Sequence, residues 1–482
     1  MASTTDDVGQ PATPTYPLRF RSAEARGARI GRPLRLLGRA RGVDEALLDR
    51  IGRAFFEQDD AGAALAAAMR LPAGAPGRVT HKQLRDALAG DGAGTQRGAE
   101  FGPLHGPDAE FGPLPRDRSF NRPISEQRTE VGQAPQQETE LGAGTQRSGP
   151  GARIPEPLRR FLAEVTAVPD WVDWDLVEEG AAVQRRLGQN SSDVLLQLSL
   201  VGGYRFGGPT DLLAATGALT GGALRRLRET QEWTIGLSES GALRPYAPAW
   251  RATVHVRVMH ALVNASFADP DRQDRRDRQD RWDTARWGLP VNQADQAATL
   301  GLFDGTLILG CRTLGVRIPP SDSRALMHLW RWVGHLLGVH PDFLVDDEWQ
   351  RHRLNYHVLL AQGGISEAGP RLARAVVAAQ AERTYRGPSW WQPFRAGFER
   401  ERLLSMLTAF LGVRSMRELG LPLRPPWAHA YLLPLNGWRY HLRGRSRWGR
   451  ERLERWGRRR SDAILTSYLS TRPDMSGPLP PG

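Results

Sequence analysis

Several features common in other proteins are scarce in this 482-residue chain, and each scarcity narrows its class. The single cysteine, Cys311, excludes an internal disulfide, and its apolar surroundings favour a buried thiol. No stretch of about 18 apolar residues is free of charge, since the best one, Ala297–Val316, contains Asp304 and Arg312. The first residues lack a basic region followed by an apolar core. We therefore predict neither a secretory signal nor a membrane span, and we expect a cytoplasmic protein.

Lysine is almost absent, because Lys82 is the only one in a chain of net charge +12. A bias towards arginine fits a GC-rich coding genome better than selection for nucleic acid, so we expect no nucleic-acid partner. The arginines are concentrated in Arg439–Arg460, with Trp448 and Trp456 among them. Such a helix can make peripheral contact with an anionic membrane. The alternative is a solvated amphipathic helix whose tryptophans pack on the body of the protein.

Composition predicts five parts along the chain. We expect a disordered N-terminus over residues 1–28 and helices that pack on the main domain over 29–89. Residues 90–151 repeat short Gly-, Gln- and Pro-rich sequences and are predicted to be a disordered insertion. The main domain is assigned to residues 152–438, and a basic, Trp/Arg-rich segment and tail to 439–482.

Helical periodicity dominates and strand-like alternation is rare, so the predicted fold class is all-α. The predicted helices are Val43–Phe56, Asp59–Met69, Pro155–Val165, Val168–Gly188, Asp193–Gly203, Gly221–Leu237, Pro248–Ala268, Asn292–Leu314, Pro320–Leu337 and Arg371–Gln380. Asp269–Arg281 is a charged tandem repeat and is interpreted as a solvated loop or helix extension without a catalytic role.

The segment RRLRETQEW, Arg225–Trp233, groups three residues that could carry chemistry. Arg226 and Thr230 are four residues apart and share one helix face, and Glu229 flanks that face. A guanidinium, a carboxylate and a hydroxyl could together orient dioxygen or water. The alternative is a surface ion pair.

The segment WRATVHVRVMHALVN, Trp250–Asn264, contains two histidines on an apolar helix. His255 and His260 are five residues apart, so their side chains point about 140° apart and should not bind one metal together. A single histidine can be the proximal ligand of a haem, which needs one protein nitrogen and an apolar wall. The alternative is a hydrogen-bonded core histidine.

Six motifs resemble, in order and spacing, those of the latex-clearing protein (rubber oxygenase)/MpaB oxygenase family. They are VPDWVDWD (Val168–Asp175), LSLVGGYRF (Leu198–Phe206), LRRLRETQEW (Leu224–Trp233), VRVMHALV (Val256–Val263), WGLPVNQAD (Trp287–Asp295) and HLWRWVGHLLGV (His328–Val339). Together they span most of residues 154–421. The resemblance implies a globin-like helical bundle enclosing haem b.

The resemblance also implies roles for single residues. His260 matches the proximal haem ligand, and Arg226 and Thr230 match the distal arginine and threonine. Glu229 occupies the position of the family's lysine, so a lysine-capped haem is not expected. Either Glu229 or Asp211 would be the catalytic base that the family supplies with a distal glutamate.

Four further residues are predicted to bind the cofactor. Arg257 lies in the same motif as His260. His328, Arg331 and His335 are candidates for bonds to the haem propionates, because histidine and arginine often lie beside these groups. The alternative for these three is a helix packed in the core through Trp330 and Trp332.

The activity implied is that of a haem-b-dependent oxygenase acting with O₂ on an apolar, unsaturated, isoprenoid-like substrate. An alternative of another class is a haem-binding sensor or carrier without turnover, which would keep His260 and lack the catalytic base. A third is a surface-binding protein that uses the basic tail.

Overall fold

The computed structural model describes residues 15–90, 154–216, 223–268 and 282–468. Throughout these ranges the secondary structure is helical and no strand occurs, which confirms the predicted all-α class. No helix in the described ranges is long and apolar enough to cross a membrane. The predicted insertion and the charged repeat Asp269–Arg281 lie outside the described residues, apart from Gly90.

The described residues form twenty α-helices. The first five are α1 (Glu24–Ile30), α2 (Arg32–Leu37), α3 (Glu45–Arg53), α4 (Asp60–Arg70) and α5 (His81–Ala89). The next seven are α6 (Glu156–Thr166), α7 (Trp174–Leu187), α8 (Gln189–Val194), α9 (Gly207–Ala215), α10 (Ala223–Gly236), α11 (Pro248–Ala268) and α12 (Thr284–Trp287), with a π-helix over Leu195–Val201 after α8.

The C-terminal half continues in the same way. Its helices are α13 (Gln293–Phe303), α14 (Gly305–Thr313), α15 (Pro320–Leu336), α16 (Glu348–Ala361), α17 (Ala368–Ala379), α18 (Gln392–Glu418), α19 (Trp427–Asn436) and α20 (Arg447–Ser467). A second π-helix, Gly437–Leu442, extends α19.

The helix predicted over Asn292–Leu314 is two helices, because Asp304 interrupts it. Asp304 has φ −107° and ψ −89°, and its carboxylate accepts the Gly305 N–H to cap α14. The fully buried guanidinium of Arg351 pairs with this carboxylate at 2.7 Å. The start of the segment is as predicted, since Asn292 caps α13 by accepting the Asp295 N–H at 2.8 Å.

The centre of the core is the packing of α7 against α15. A side chain at Gly180 would lie 2.4 Å from the Ala325 carbonyl oxygen, so glycine permits the close approach of the two helices. Trp330 and Trp332 of α15 and Trp250 of α11 are fully buried around this contact. Burying side chains of this size is among the largest apolar contributions available to a core.

The prediction of disorder over residues 1–28 is wrong for residues 15–28, which are ordered against the main body. Arg19 is buried and pairs with Asp295 at 2.5 Å. Its guanidinium passes over Gly208, where an added Cβ would lie 1.7 Å from Nη1. A charged residue in a polar, Pro- and Thr-rich segment gave no sign of this buried partner.

Candidate functional site

Helices α10 and α11 form a pair joined near their connecting loop. The Trp233 indole N–H donates to the Thr253 hydroxyl at 3.1 Å. Arg226 precedes Trp233 by seven residues and His260 follows Thr253 by seven. Each of the two residues is therefore about 10 Å along its own helix axis from the Trp233–Thr253 bond, in the direction away from the connecting loop. The predicted distal arginine and proximal histidine thus lie on two neighbouring helices, each two turns from the bond that joins them.

The ring of His260 is half-buried and has an unused nitrogen. Its Nδ1 is buried and has no hydrogen-bond partner among the described residues. Burial lowers the His260 pKa to about 4, opposed by the charge of Asp59, so the imidazole is neutral near pH 7. Val256 and Val263 are half-buried on the same helix face. A neutral imidazole on an apolar wall fits the protein side of a haem site.

The three predicted catalytic residues lie on α10. Arg226 and Glu229 are half-buried, and Thr230 is exposed. Burial raises the pKa of the Tyr204 hydroxyl, and the positive charge of Arg226 opposes this rise. One short helix segment therefore presents a cation whose charge reaches the buried phenol, followed one turn later by a carboxylate and a hydroxyl.

Asp211, the other candidate base, lies on α9. Burial is the main cause that raises the pKa of its carboxyl above the ordinary value. A carboxylate whose pKa is raised is a better proton acceptor at neutral pH than an ordinary one. The geometry leaves both Glu229 and Asp211 open for that role.

Arg257 uses its donors within the protein. Its Nε and Nη2 each lie 2.6 Å from Asp59, and Nη2 also lies 2.5 Å from Glu164. The side chain is buried, and the pair with Asp59 joins α11 to α4 while the contact with Glu164 reaches α6. This guanidinium connects three helices. Its predicted contact with the cofactor stays a prediction, and the proposed site does not use it.

The three candidates on α15 gather around Trp171 rather than around His260. His328 Nε2 accepts the Asp173 backbone N–H at 2.9 Å. The Arg331 guanidinium pairs with Asp346 and lies 4.0 Å from the Trp171 ring centre. The ring of His335 stacks on that of Trp332, with centroids 5.4 Å apart.

We call these five residues the Trp171 cluster, namely Trp171, His328, Arg331, Trp332 and His335. The edge of the cluster meets α7, because Asp173 caps that helix and presents the N–H that His328 accepts. The contacts of His328 and Arg331 are made within the protein, as the core-helix alternative expects. The predicted propionate contacts of His328, Arg331 and His335 stay predictions, and the proposed site does not use them.

A cavity of about 590 Å³ lies on another face of α11. Ala261, Asn264 and Ala268 line it from α11, facing α4, and Trp282 closes one end. His260 is not among its lining residues. Within the described ranges, no three His, Cys, Asp or Glu side chains gather where they could hold a metal ion directly.

The family model of the ER-bound oxygenase mpaB/B′ and rubber oxygenase catalytic domain matches residues 185–444, more than half of the chain. The chain belongs to this family. The matched region contains Arg226, Glu229, Thr230 and His260 but not Asp59.

Individual relatives of this family member are distant. A rubber oxygenase of Streptomyces sp. (strain K30) is 22% identical over 200 residues, which cover 40% of the present chain and 45% of that enzyme. The chain thus matches less than half the length of this relative. A solved structure of latex clearing protein LCP in the closed state is 18% identical, with a TM-score of 0.48, and the match covers 64% of this chain and 80% of that one.

Sequence reasoning missed Asp59, whose charge reaches both Arg257 and His260. The residue is the first of the alanine-rich helix predicted over Asp59–Met69, and the structure places it at the N-cap of α4. A helix N-cap signal was therefore present, but nothing local connected it to a residue 198 positions away. The Trp233–Thr253 bond was missed for a similar reason, since neither residue type is diagnostic by itself.

Proposed function

We propose that this family member is a haem-b-dependent oxygenase that acts with O₂ on an apolar, unsaturated, isoprenoid-like substrate. The observation that carries the proposal is the neutral His260 imidazole, whose buried Nδ1 has no hydrogen-bond partner in the part of the chain that the structure describes. A second support is the presence of Arg226 on the adjacent helix, which the Trp233–Thr253 bond joins to that of His260. The substrate class follows from the rubber oxygenase named above, since polyisoprene is apolar and unsaturated.

In this mechanism His260 would hold the haem iron, and the haem would supply the redox chemistry of the reaction with dioxygen. Arg226 donates hydrogen bonds and positive charge where negative charge develops. Arg226 is half-buried, which strengthens this effect, because a charge in a poorly solvated setting interacts more strongly. Half-buried Val256 and Val263 exclude water from the His260 side.

The proton step falls to a carboxylate. Glu229 is half-buried, three residues from Arg226, and could accept a proton from the substrate and return it. Asp211 has the raised pKa that suits the same task. Comparing the variants Glu229→Gln and Asp211→Asn identifies the base, since the removal of the true one lowers kcat by about a hundredfold or more.

The exposed Thr230 favours a second candidate, a haem-binding sensor without turnover. An oxygenase benefits from a distal side that is closed to water. Consumption of O₂ by the reduced protein with polyisoprene or a shorter isoprenoid separates the two functions. Conversion of the substrate supports the oxygenase, and a stable haem protein that never turns over supports the sensor.

The first test is the absorption spectrum of the full chain, expressed with added haem, oxidised and then reduced with dithionite. We expect a Soret band that His260→Ala removes or strongly weakens. His255→Ala is the matched control, because His255 is on the same helix and burial likewise lowers its pKa to about 4. A wild-type protein without a Soret band, or a band equally strong in His260→Ala, would overturn the proposed site.

A further inference from the structure

The start of α18 exposes a run of aromatic side chains. Trp390 and Phe394 are each 67% exposed, and Trp391 and Phe398 are 44% and 43% exposed. The Trp390 and Trp391 rings lie 5.6 Å apart, and Trp391 and Phe394 lie 6.0 Å apart. These residues therefore form one continuous surface rather than scattered apolar positions.

The surface continues onto α19. The Phe398 ring lies 5.5 Å from that of Trp427, which in turn lies 6.1 Å from Tyr431. Further along the same helix and its π-helical extension, Trp438 is 44% exposed and Leu442 is 68% exposed. Successive side chains, from Trp427 through Tyr431 and Trp438 to Leu442, are four, seven and four residues apart. These spacings keep them close to one side of the helix.

We call this run the aromatic stripe, comprising Trp390, Trp391, Phe394, Phe398, Trp427, Tyr431, Trp438 and Leu442. Single exposed apolar residues are normal on a soluble protein, but a contiguous set this large marks an interaction surface. Four of its members are tryptophans, whose rings are apolar apart from a polar N–H at one edge, so they suit a boundary between water and an apolar phase better than a core.

A basic segment, residues 437–467, adjoins the stripe. It contains ten arginines and three carboxylates, a formal excess of seven positive charges out of the +12 of the whole chain. Nine of the ten arginines are exposed, and Arg439 is half-buried. Arg458 pairs with Glu239 and Arg447 with Glu451, so most of the exposed positive charge faces solvent.

The packing of α20 explains this outward charge. Gly449, Leu453 and Gly457 are buried, and Gly457 lies against Arg185 of α7. The arginines therefore occupy the opposite faces of the helix. Of the two tryptophans in this helix, Trp456 packs inward against Gly188. Trp448 is 58% exposed.

Guanidinium groups and aromatic rings meet where the stripe and the basic segment join. Arg443 lies 4.0 Å from the centre of the Trp438 ring, and Arg452 lies 4.6 Å from that of Trp448. Such pairs place a cation and an amphipathic ring at the same depth of the surface. The border between membrane and water offers both environments that this combination needs, anionic phosphate above and apolar chains below.

We propose that the aromatic stripe and the basic segment together form a docking surface for an anionic lipid bilayer. The stripe enters the interfacial region, and the exposed arginines bind lipid phosphates. Charge complementarity selects this occupant over a neutral apolar surface, and the exposed rings select it over a nucleic-acid duplex, for which a basic face alone would suffice. Orientation on a membrane would bring an apolar substrate to the protein from the lipid phase, but the docking surface itself does not depend on the proposed function.

The test is co-sedimentation of the full chain with vesicles of phosphatidylcholine alone or containing about one quarter phosphatidylglycerol. We expect binding to the anionic vesicles, little binding to the neutral ones, and release as NaCl rises from about 0.1 M to about 0.5 M. Equal binding to both kinds of vesicle would overturn the requirement for anionic lipid.

Two groups of variants divide the surface into its parts. Trp390→Ser with Phe394→Ser removes the most exposed rings. The charge variant replaces three exposed arginines, Arg445→Gln, Arg455→Gln and Arg459→Gln. Each arginine removed should lower vesicle binding on the order of fivefold, and the ring variant should lower it by at least tenfold. Retained binding in either variant would overturn the proposal.

Matched controls change the same residue types elsewhere. Leu36→Ser replaces an 80% exposed leucine on α2. The charge control is Arg29→Gln, Arg32→Gln and Arg41→Gln, three exposed arginines near the N-terminus. Neither should change vesicle binding, and binding lost in these variants would mean that the proposed surface is not the one used.

Two other occupants give distinct results. If a second copy covers the stripe, the wild type sediments as a dimer, the ring variant as a monomer, and neither binds vesicles. If nucleic acid is the partner, a duplex binds the wild type and the ring variant equally while anionic vesicles do not bind. Either result overturns the lipid proposal.

Discussion

Helices α11 and α15 each carry two histidines in largely apolar surroundings, yet the structure treats them differently. On α15, His328 accepts a backbone N–H and His335 stacks on a tryptophan. On α11, the Nδ1 of His260 is buried without a hydrogen-bond partner in the described residues. The difference shows that the residue type alone does not tell whether the ring nitrogens of a histidine are used within the protein. It also predicts which substitutions change stability and which change haem content.

The largest effect on stability should come from Arg257→Met. This change removes the cation that pairs with Asp59 and leaves a carboxylate in a poorly solvated position. We expect a loss of about 3–5 kcal/mol in the free energy of unfolding, measured in urea. Glu164→Gln is the control, with a much smaller loss, because the Glu164 side chain is 48% exposed. A change below about 1 kcal/mol in Arg257→Met would contradict the structural role assigned to this arginine.

His328→Leu should have the next largest effect. It removes the acceptor of the Asp173 N–H at the start of α7, at an expected cost of about 1–2 kcal/mol in unfolding free energy. The Soret band should keep its wild-type intensity, unlike that of His260→Ala. His335→Leu, which loses mainly ring stacking, gives the comparison at about 1 kcal/mol. Loss of the Soret band in His328→Leu would return this histidine to the cofactor site.

The acid sensitivity of the fold gives a third comparison. Burial, followed by the charge of His81, lowers the His255 pKa to about 4, below the ordinary 6.5. Between these values the unfolded chain binds a proton that the folded chain does not, so the unfolding free energy is highest above pH 6.5 and falls towards pH 4. His255→Asn should reduce this dependence by up to about 1.4 kcal/mol per pH unit. An unchanged slope would mean that His255 is not held neutral by the fold.

Arg331→Met should have the smallest effect. The Asp346 side chain of this ion pair is 57% exposed, and solvent weakens such pairs. We expect a change of about 0–1 kcal/mol in unfolding free energy and an unaltered Soret band. A loss of haem with wild-type stability is the outcome that would restore Arg331 as a cofactor ligand.

Helices whose apolar residues face the core could be predicted from the sequence. Pro248–Ala268 was predicted with the bounds that α11 has, and Gly221–Leu237 closely matches α10. Both have strong helical periodicity and clear end signals. By contrast, α18 was not predicted, because exposed aromatic residues at its start obscure the periodic pattern.

The contacts that could not be predicted from the sequence join residues that are distant along the chain. His328 and Asp173 are 155 residues apart, so the sequence gives the histidine without the N–H that it accepts. The same holds for Arg257 and Asp59. The positions of His260 and Arg226 on neighbouring helices were accessible through the motif order, but whether a nitrogen remains unused depends on every element packed around it.

Arg19, near the N-terminus, is buried beneath Gly208, which belongs to the matched family region. The interior of that region therefore includes a residue from outside it. Arg19 fills the space that a side chain at position 208 would need, so residue 208 must be glycine while that arginine is present. Asp295 keeps its positively charged partner only if position 19 is arginine and position 208 is glycine. Asn292 and Gln362 also donate to this carboxylate, at 2.8 and 3.1 Å, but neither carries a charge. A fragment that begins at the matched family region would therefore inherit a buried anion. Relatives that differ at position 19, 208 or 295 should therefore differ at the other two positions as well. Removal of the N-terminal residues through Arg19 would change the interior of the protein as well as its surface.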